Sequence, residues 1–279
     1  MKRLSVPDGH IAYAEAGSGR PPIVLLHAGY VDHRMWDREL AHLSHRTRAV
    51  APDARAHGQS STPLSAFRQC DDVAALVRHL EAGPAVLVGV SMGAGAAVDT
   101  ALEHPDVVRA LVISGAGTNE PTFEDPWALA LVQRQQQAIV AEDPASWLEA
   151  TLEYVAGPSR SLNDVDPDVV ERIRDMHEAF VRDHVRPGIV PPTHVVGSWD
   201  RLAEITVPVL GIVGELDSTD HHHMCERAVA SVVDGRGVVR LPDCGHFPNL
   251  ERPDDWERVV DDFLDELGVP TREETSRAH

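Results

Sequence analysis

Short runs of Val, Ile and Leu, each four to seven residues long, recur along this chain with longer segments of helical period between them. Runs this apolar suit strands buried on both faces, and strands that alternate with helices pair in parallel, so the pattern restricts the fold to a sheet covered by helices on both sides. Buried strands are expected at Pro22–His27, Arg48–Ala51, Ala85–Val90, Val108–Ser114, Val207–Val213 and Gly237–Leu241, with an antiparallel hairpin around Asp8-Gly9 adding an edge. Helices are expected at Met35–Ser44, Cys70–Glu81, Met92–Glu103 and His222–Val233. A final helix follows Pro253, where Trp256, Val259, Val260, Phe263, Leu264 and Leu267 recur at helical spacing until Gly268.

The alternation fails once. From Thr118 to Ile205 no strand-like run occurs, and three helical segments, Trp127–Val140, Pro144–Val155 and Pro167–Val185, fill the gap. So long a structureless loop is improbable in a compact domain, so residues 118–205 read as a helical cap inserted into a core of residues 1–117 and 206–268. Residues 269–279 are short and polar and read as a disordered tail.

Composition narrows the partners. A hydrophobic fraction of 43% supports a sizeable core, and a formal charge of -19 repels polyanions, so nucleic acid and anionic membrane are unexpected partners. No run reaches the roughly 18 to 20 apolar residues of a membrane span, and the first residues lack the continuous apolar stretch of a signal peptide. Three cysteines without close spacing suggest neither a disulfide framework nor a zinc site; a reduced, cytoplasmic setting is the expectation. The oligomeric state, monomer or homodimer, is left open by the sequence.

Chemistry first appears where the run Ala85–Val90 meets Gly89-Val90-Ser91-Met92-Gly93. A G-x-S-x-G placed after a strand and before a helix can put a serine on a sharp turn facing a helix N-terminus, where backbone N–H groups favour developing negative charge. A serine hydroxyl needs a base, and the base needs an orienting acid. Among sixteen histidines, His246 has the suggestive context, in a loop after the last expected strand. Val207–Val213 runs into Gly214-Glu215-Leu216-Asp217-Ser218-Thr219-Asp220, where Asp217 is the chosen acid and Glu215 and Asp220 compete. The run His221-His222-His223 reads as a solvated helix start, since consecutive helical residues point about 100° apart and cannot converge on one metal ion. Cys244 reads as packing.

With these motifs in order, the chain resembles the α/β-hydrolase superfamily, and within it the small cap-bearing esterases and enol-lactonases. The resemblance runs over about residues 10–267 and rests on His27-Ala28-Gly29, Asp53-Ala54-Arg55-Ala56-His57-Gly58-Gln59-Ser60, the serine turn, Gly214-Glu215-Leu216-Asp217 and Gly245-His246. It implies a mostly parallel eight-stranded sheet with the cap after the sixth strand. By the same resemblance Ser91 is the nucleophile, His246 the base, Asp217 the orienting acid, and the backbone N–H groups of Met92 and Gly29 the oxyanion hole. The usual His-Gly-x reads His27-Ala28-Gly29 here, which leaves Gly29 and Tyr30 as candidates for the second donor. The Asp53–Ser60 loop reads as a structural support, and Tyr30, Trp127, Trp147 and Phe247 as substrate contacts. The implied activity is hydrolysis of a small or medium ester or lactone without cofactor or metal. A carbon–carbon bond (diketone) hydrolase, a cofactor-free perhydrolase and a ligand-sensing binding protein are the alternatives.

Overall fold

A computed structural model describes residues 1–269. Eight strands, β1 (Lys2–Val6), β2 (Gly9–Ala16), β3 (Ile23–Leu26), β4 (Ala49–Pro52), β5 (Ala85–Val90), β6 (Val108–Ser114), β7 (Pro208–Gly214) and β8 (Asp234–Leu241), form one sheet in the order β1-β2-β4-β3-β5-β6-β7-β8. The hairpin β1–β2 is antiparallel and joins β4 antiparallel; every other pairing is parallel. Strand order reverses between β3 and β5. The crevice at the carboxyl ends of two such strands is where open α/β sheets hold their ligands.

Among the described residues ten α-helices accompany the sheet: α1 (Asp37–Leu43), α2 (Gln69–Leu80), α3 (Met92–Glu103), α4 (Pro126–Val140), α5 (Pro144–Ala156), α6 (Pro167–His184), α7 (Ser198–Arg201), α8 (Thr219–Ser231), α9 (Pro248–Glu251) and α10 (Pro253–Glu266). Alternate strand residues feed two cores. Val24, Leu26, Leu87, Leu111 and Val213 pack against α2, α3 and α8; Ile23, Leu25, Val86, Val88 and Ile212 pack against α1 and α10. The stripe read from the last helix supplies Trp256, Val260, Phe263 and Leu264 to the second core, each worth about 1.5–3 kcal/mol of burial. Leu152, Val155, Ile173 and Met176 of α5 and α6 join that core, which ties the inserted helices to the rest of the molecule.

Two features differ from the sequence reading. β8 starts at Asp234 rather than Gly237 and is an edge strand, half of its residues exposed and three half-buried, instead of a buried one; only its last residue, Leu241, is buried. Val269, assigned to the tail, is buried, donates its N–H to Leu264 O and accepts from Arg46, so the ordered core runs one residue further. Residues 270–279 of the expected tail lie outside the described residues.

Beneath α1, Glu39 is fully buried, and neither carboxyl oxygen has a well-formed hydrogen bond among the described residues. Burial, reinforced by the Glu257 carboxylate and only partly opposed by the Asn249 amide, raises its pKa to about 8. Its folded pKa exceeds the unfolded value of 4.5, so its stabilising effect is complete below pH 4.5 and is lost as pH climbs towards 8. Glu39→Gln is expected to raise stability at pH 8 by roughly 2–4 kcal/mol and at pH 4 by far less, checked by urea unfolding at the two pH values.

Candidate functional site

Ser91 closes β5 and opens α3 in a backbone conformation (φ 52°, ψ -115°) that L-residues rarely adopt. The turn is held by Ser91 N–H donating to Ser114 O at 2.7 Å and by Gly95 N–H donating to Ser91 O at 3.1 Å. Two glycines make it possible. A Cβ on Gly93 would lie 2.1 Å from Leu26 O, and one on Gly89 would lie 2.3 Å from Gly93 backbone. The first helical N–H groups of α3, beginning with Met92, have no partner within the helix.

Asp217 follows β7 and is buried. Its Oδ2 accepts the Nδ1–H of His246 at 2.8 Å, while its Oδ1 accepts Ser218 N–H and His221 Nδ1–H, each at 2.7 Å. Burial alone would raise its pKa, but the two imidazoles outweigh it and hold the carboxyl well below the usual range. Glu215 is exposed, and Asp220 instead accepts the backbone N–H groups of Glu124 and Asp125, so neither competitor meets His246.

His246 sits in the loop between β8 and α9, with its ring against Gly115, where a Cβ would come within 2.8 Å of Cε1. Its Nδ1 proton is committed to Asp217, which leaves Nε2 as the acceptor of the neutral ring, and the residue borders the cavity that Ser91 also lines. Burial lowers its pKa; Asp217 opposes that and a charged His221 would add to it.

The neighbouring loop separates the two backbone donors. Tyr30 N–H donates to His57 Nε2 at 3.1 Å, whereas Gly29 N–H makes no hydrogen bond among the described residues and borders the cavity beside Ser91. His57 donates Nδ1–H to Arg55 O, and burial pushes its pKa down to about 3, so it remains a neutral acceptor. His27 is fixed alike, with Nδ1–H to Ala28 O and Nε2 accepting from Ala54 N–H. Asp53 gathers the N–H groups of His33 and Gln59, and a Cβ on Gly58 would strike its carboxylate at 2.4 Å. Ala56 occupies a left-handed position (φ 66°) that glycine would take more cheaply.

Two cavities, about 280 and 480 Å³, share Gly29, Tyr30, Ser91, Phe123 and His221 in their walls. The first extends under α4, α5 and α6 past Gln135, Tyr154, His177 and Phe247; the second runs beside Phe180 and the segment 189–192. Tyr30 and Phe247 are therefore wall residues. Trp127 and Trp147 are not: Trp127 packs on Tyr154 at 5.7 Å and Trp147 on Tyr30 at 4.9 Å, one layer behind the walls. Tyr154 and Phe123, which do line the first cavity, escaped the sequence reading.

The histidine run differs most from expectation. His221 and His222 are buried rather than solvated: His222 Nε2 donates to Gly214 O at 2.7 Å, and His221 reaches Asp217; only His223 is exposed. The available signal was the i, i+4 spacing of Asp217 and His221 across a helix start capped by Ser218. The three residues do diverge, as helical geometry requires. Polar atoms of Asp217, His221 and His246 lie within 4.8 Å of one another. Each Nδ1, however, stands at hydrogen-bond distance from its own carboxylate oxygen, so the contacts are donated protons rather than ligands turned to a common point. Cys244 is buried with its thiol pushed up to about 12 by burial, consistent with packing.

Residues 23–259 match the model of the alpha/beta hydrolase family, and the chain belongs to that family. It is 23% identical over 270 residues to the 3-oxoadipate enol-lactonase 2 of Acinetobacter baylyi, covering 92% of this chain and 94% of that protein. It is 32% identical over 262 residues to the lipase LipV of Mycobacterium tuberculosis, covering 88% and 94%. The crystal structure of the enol-lactonase from Burkholderia xenovorans superposes with a TM-score of 0.76 at 24% identity, covering 95% of this chain and all of that one. Among the described residues no helix is long and apolar enough to cross a membrane.

The tight turn gives a direct test. Gly93→Ala puts a methyl group 2.1 Å from Leu26 O, with backbone on both sides of the clash. A loss of roughly 3 kcal/mol or more is expected in denaturant unfolding, against about 1 kcal/mol for Ala96→Gly in the interior of the same helix.

Proposed function

We propose that this protein is a serine hydrolase that cleaves a neutral carboxylic ester or lactone through an acyl-enzyme. The observation that carries the reading is the strained Ser91 turn sharing one cavity with an imidazole whose Nδ1 proton is already committed to a buried carboxylate. His246 Nε2 takes the proton from Ser91 Oγ as that oxygen forms a bond to the substrate carbonyl carbon. The oxyanion so formed accepts hydrogen bonds from Gly29 N–H and Met92 N–H; Tyr30 N–H is engaged by His57, which favours Gly29 as the second donor. The tetrahedral centre collapses with loss of the alcohol oxygen, which receives the proton from His246. Water, activated by the same Nε2, then releases the acid and restores Ser91. Asp217 keeps the imidazole in the competent tautomer and balances its transient charge.

Two cavities meeting at Ser91 suit the acyl and alcohol portions of an ester, or the two arcs of a lactone ring. Arg55 is the one Arg or Lys side chain in either wall, and both arms of its guanidinium are bound to Asp72 at 2.7 and 2.8 Å. Among the described residues no unpaired Arg or Lys lines either cavity, which favours an uncharged substrate.

Ser91→Ala is expected to abolish turnover of p-nitrophenyl butyrate, and Asp217→Asn to lower kcat by about 10⁴-fold, measured by nitrophenolate release. Retention of activity by Ser91→Ala would sink the reading. p-Nitrophenyl butyrate should exceed the mono-p-nitrophenyl ester of succinate by about tenfold or more in kcat/KM, since burying an unpaired carboxylate costs more than one such factor. The acid limb of kcat/KM should fall below the ordinary imidazole value of 6.5, because burial makes His246 harder to protonate and only its neutral form is active.

A further inference from the structure

Asp217 is shared. One oxygen serves His246 at 2.8 Å, and the other serves His221 at 2.7 Å. The two imidazoles lie 4.2 Å apart between ring centroids, with 32° between their planes, and both are buried. A carboxylate can only accept here, so both Nδ1 atoms carry protons and both rings are held in the same tautomer. Ser218 N–H completes the set on Oδ1, and Ser218 Oγ stands 3.0 Å from His221 Nδ1.

The orienting acid of a serine hydrolase needs to remain an anion in a dry site and to keep one oxygen aimed at the base. A fully buried carboxylate with a single imidazole partner could rotate about its Cβ–Cγ bond and exchange oxygens. Here a second imidazole on an independent element, the first turn of α8, pins the other oxygen. His221 is itself confined by Phe123 at 6.0 Å and Tyr154 at 5.9 Å. Its Asp217 bond is thus backed by packing on two sides.

We propose that His221 is a positioning residue of the reaction, fixing Asp217 so that its second oxygen stays in line with His246. The proposal rests on the serine-hydrolase reading above. Loss of the His221 bond to Asp217 acts on the chemical step and is read in kcat, while the place of His221 in both cavity walls is read separately in KM.

Asn is the informative replacement, because its side-chain nitrogen is attached at the same carbon position as Nδ1 of histidine and can donate to Asp217. Alanine removes the donor, and glutamine carries its amide one carbon too far. His221→Ala and His221→Gln should each lower kcat on p-nitrophenyl butyrate by about tenfold or more, the worth of one hydrogen bond to a buried charge. His221→Asn should return kcat to within about fivefold of wild type. In proton NMR, wild type should show two far-downfield imidazole N–H signals; the one that persists in the variants belongs to His246 and should move more in His221→Gln than in His221→Asn. The proposal is overturned by a smaller loss of kcat in both Ala and Gln variants, by a loss carried in KM alone, by an Asn variant no better than Gln, or by an unmoved His246 signal. Labelling by a fluorophosphonate separates the two levels: a label retained in Ser91→Ala overturns the hydrolase reading and this one with it. A label confined to Ser91, with His221 variants unaffected, overturns this one alone.

Discussion

The site depends on how closely α3 can approach the end of β3. Gly93 has no side chain, so the first turn of α3 rests almost on Leu26 O, and that contact fixes where the chain must turn between β5 and α3. Ser91 takes its left-handed conformation as a result, a cost of order 1–3 kcal/mol that a loosely packed turn would relax. The same approach brings Gly29, three residues beyond Leu26, beside Met92, whose Cβ would lie 3.9 Å from a Cβ placed on Gly29. A helix rich in Gly and Ala is a poor source of buried apolar area, yet it is what allows the sheet and the serine to meet.

Around that contact the molecule spends buried histidines freely. His27 and His57 are locked as neutral acceptors by backbone amides, which makes them rigid parts of the loop carrying Gly29 and Tyr30 rather than titrating groups. His221 and His246 are locked the opposite way, as donors to one carboxylate. Imidazole serves both purposes because the partner of one nitrogen determines what the other can do.

Much of this was legible in the sequence where it is periodic or positional. Buried strands read from Val, Ile and Leu runs, and the final helix from its apolar stripe, because burial on both faces or on one stripe leaves a local pattern. Ser91, Asp217 and His246 could be placed because each follows a strand. What escaped depends on direction or neighbours. Three adjacent histidines look alike until the start of α8 at Thr219 decides that residue 221 points inward, 222 towards Gly214 O and 223 outward. The Val238-Val239 pair of β8 reads like part of an interior strand, but nothing local says that among the described residues no ninth strand pairs with it. Trp147 and Tyr154 lie on one cap helix seven residues apart, and only packing against α6 and Tyr30 decides which one forms wall and which one backs it. Glu39 gives no signal at all, being an ordinary acidic residue on a helix until its surroundings are known.

Gly214 and Gly245 meet backbone to backbone, since a Cβ on Gly214 would fall 2.1 Å from Gly245 O, and Leu216 N–H donates across to Cys244 O. The loops bearing Asp217 and His246 are therefore welded into a single piece, while Ser91 belongs to another piece seated on Leu26. The joint between the two runs past Gly115, where His246 leans on bare backbone. Ser91 N–H is in turn tied to Ser114 O, one residue before Gly115, so the serine turn and the welded loops meet at a single glycine.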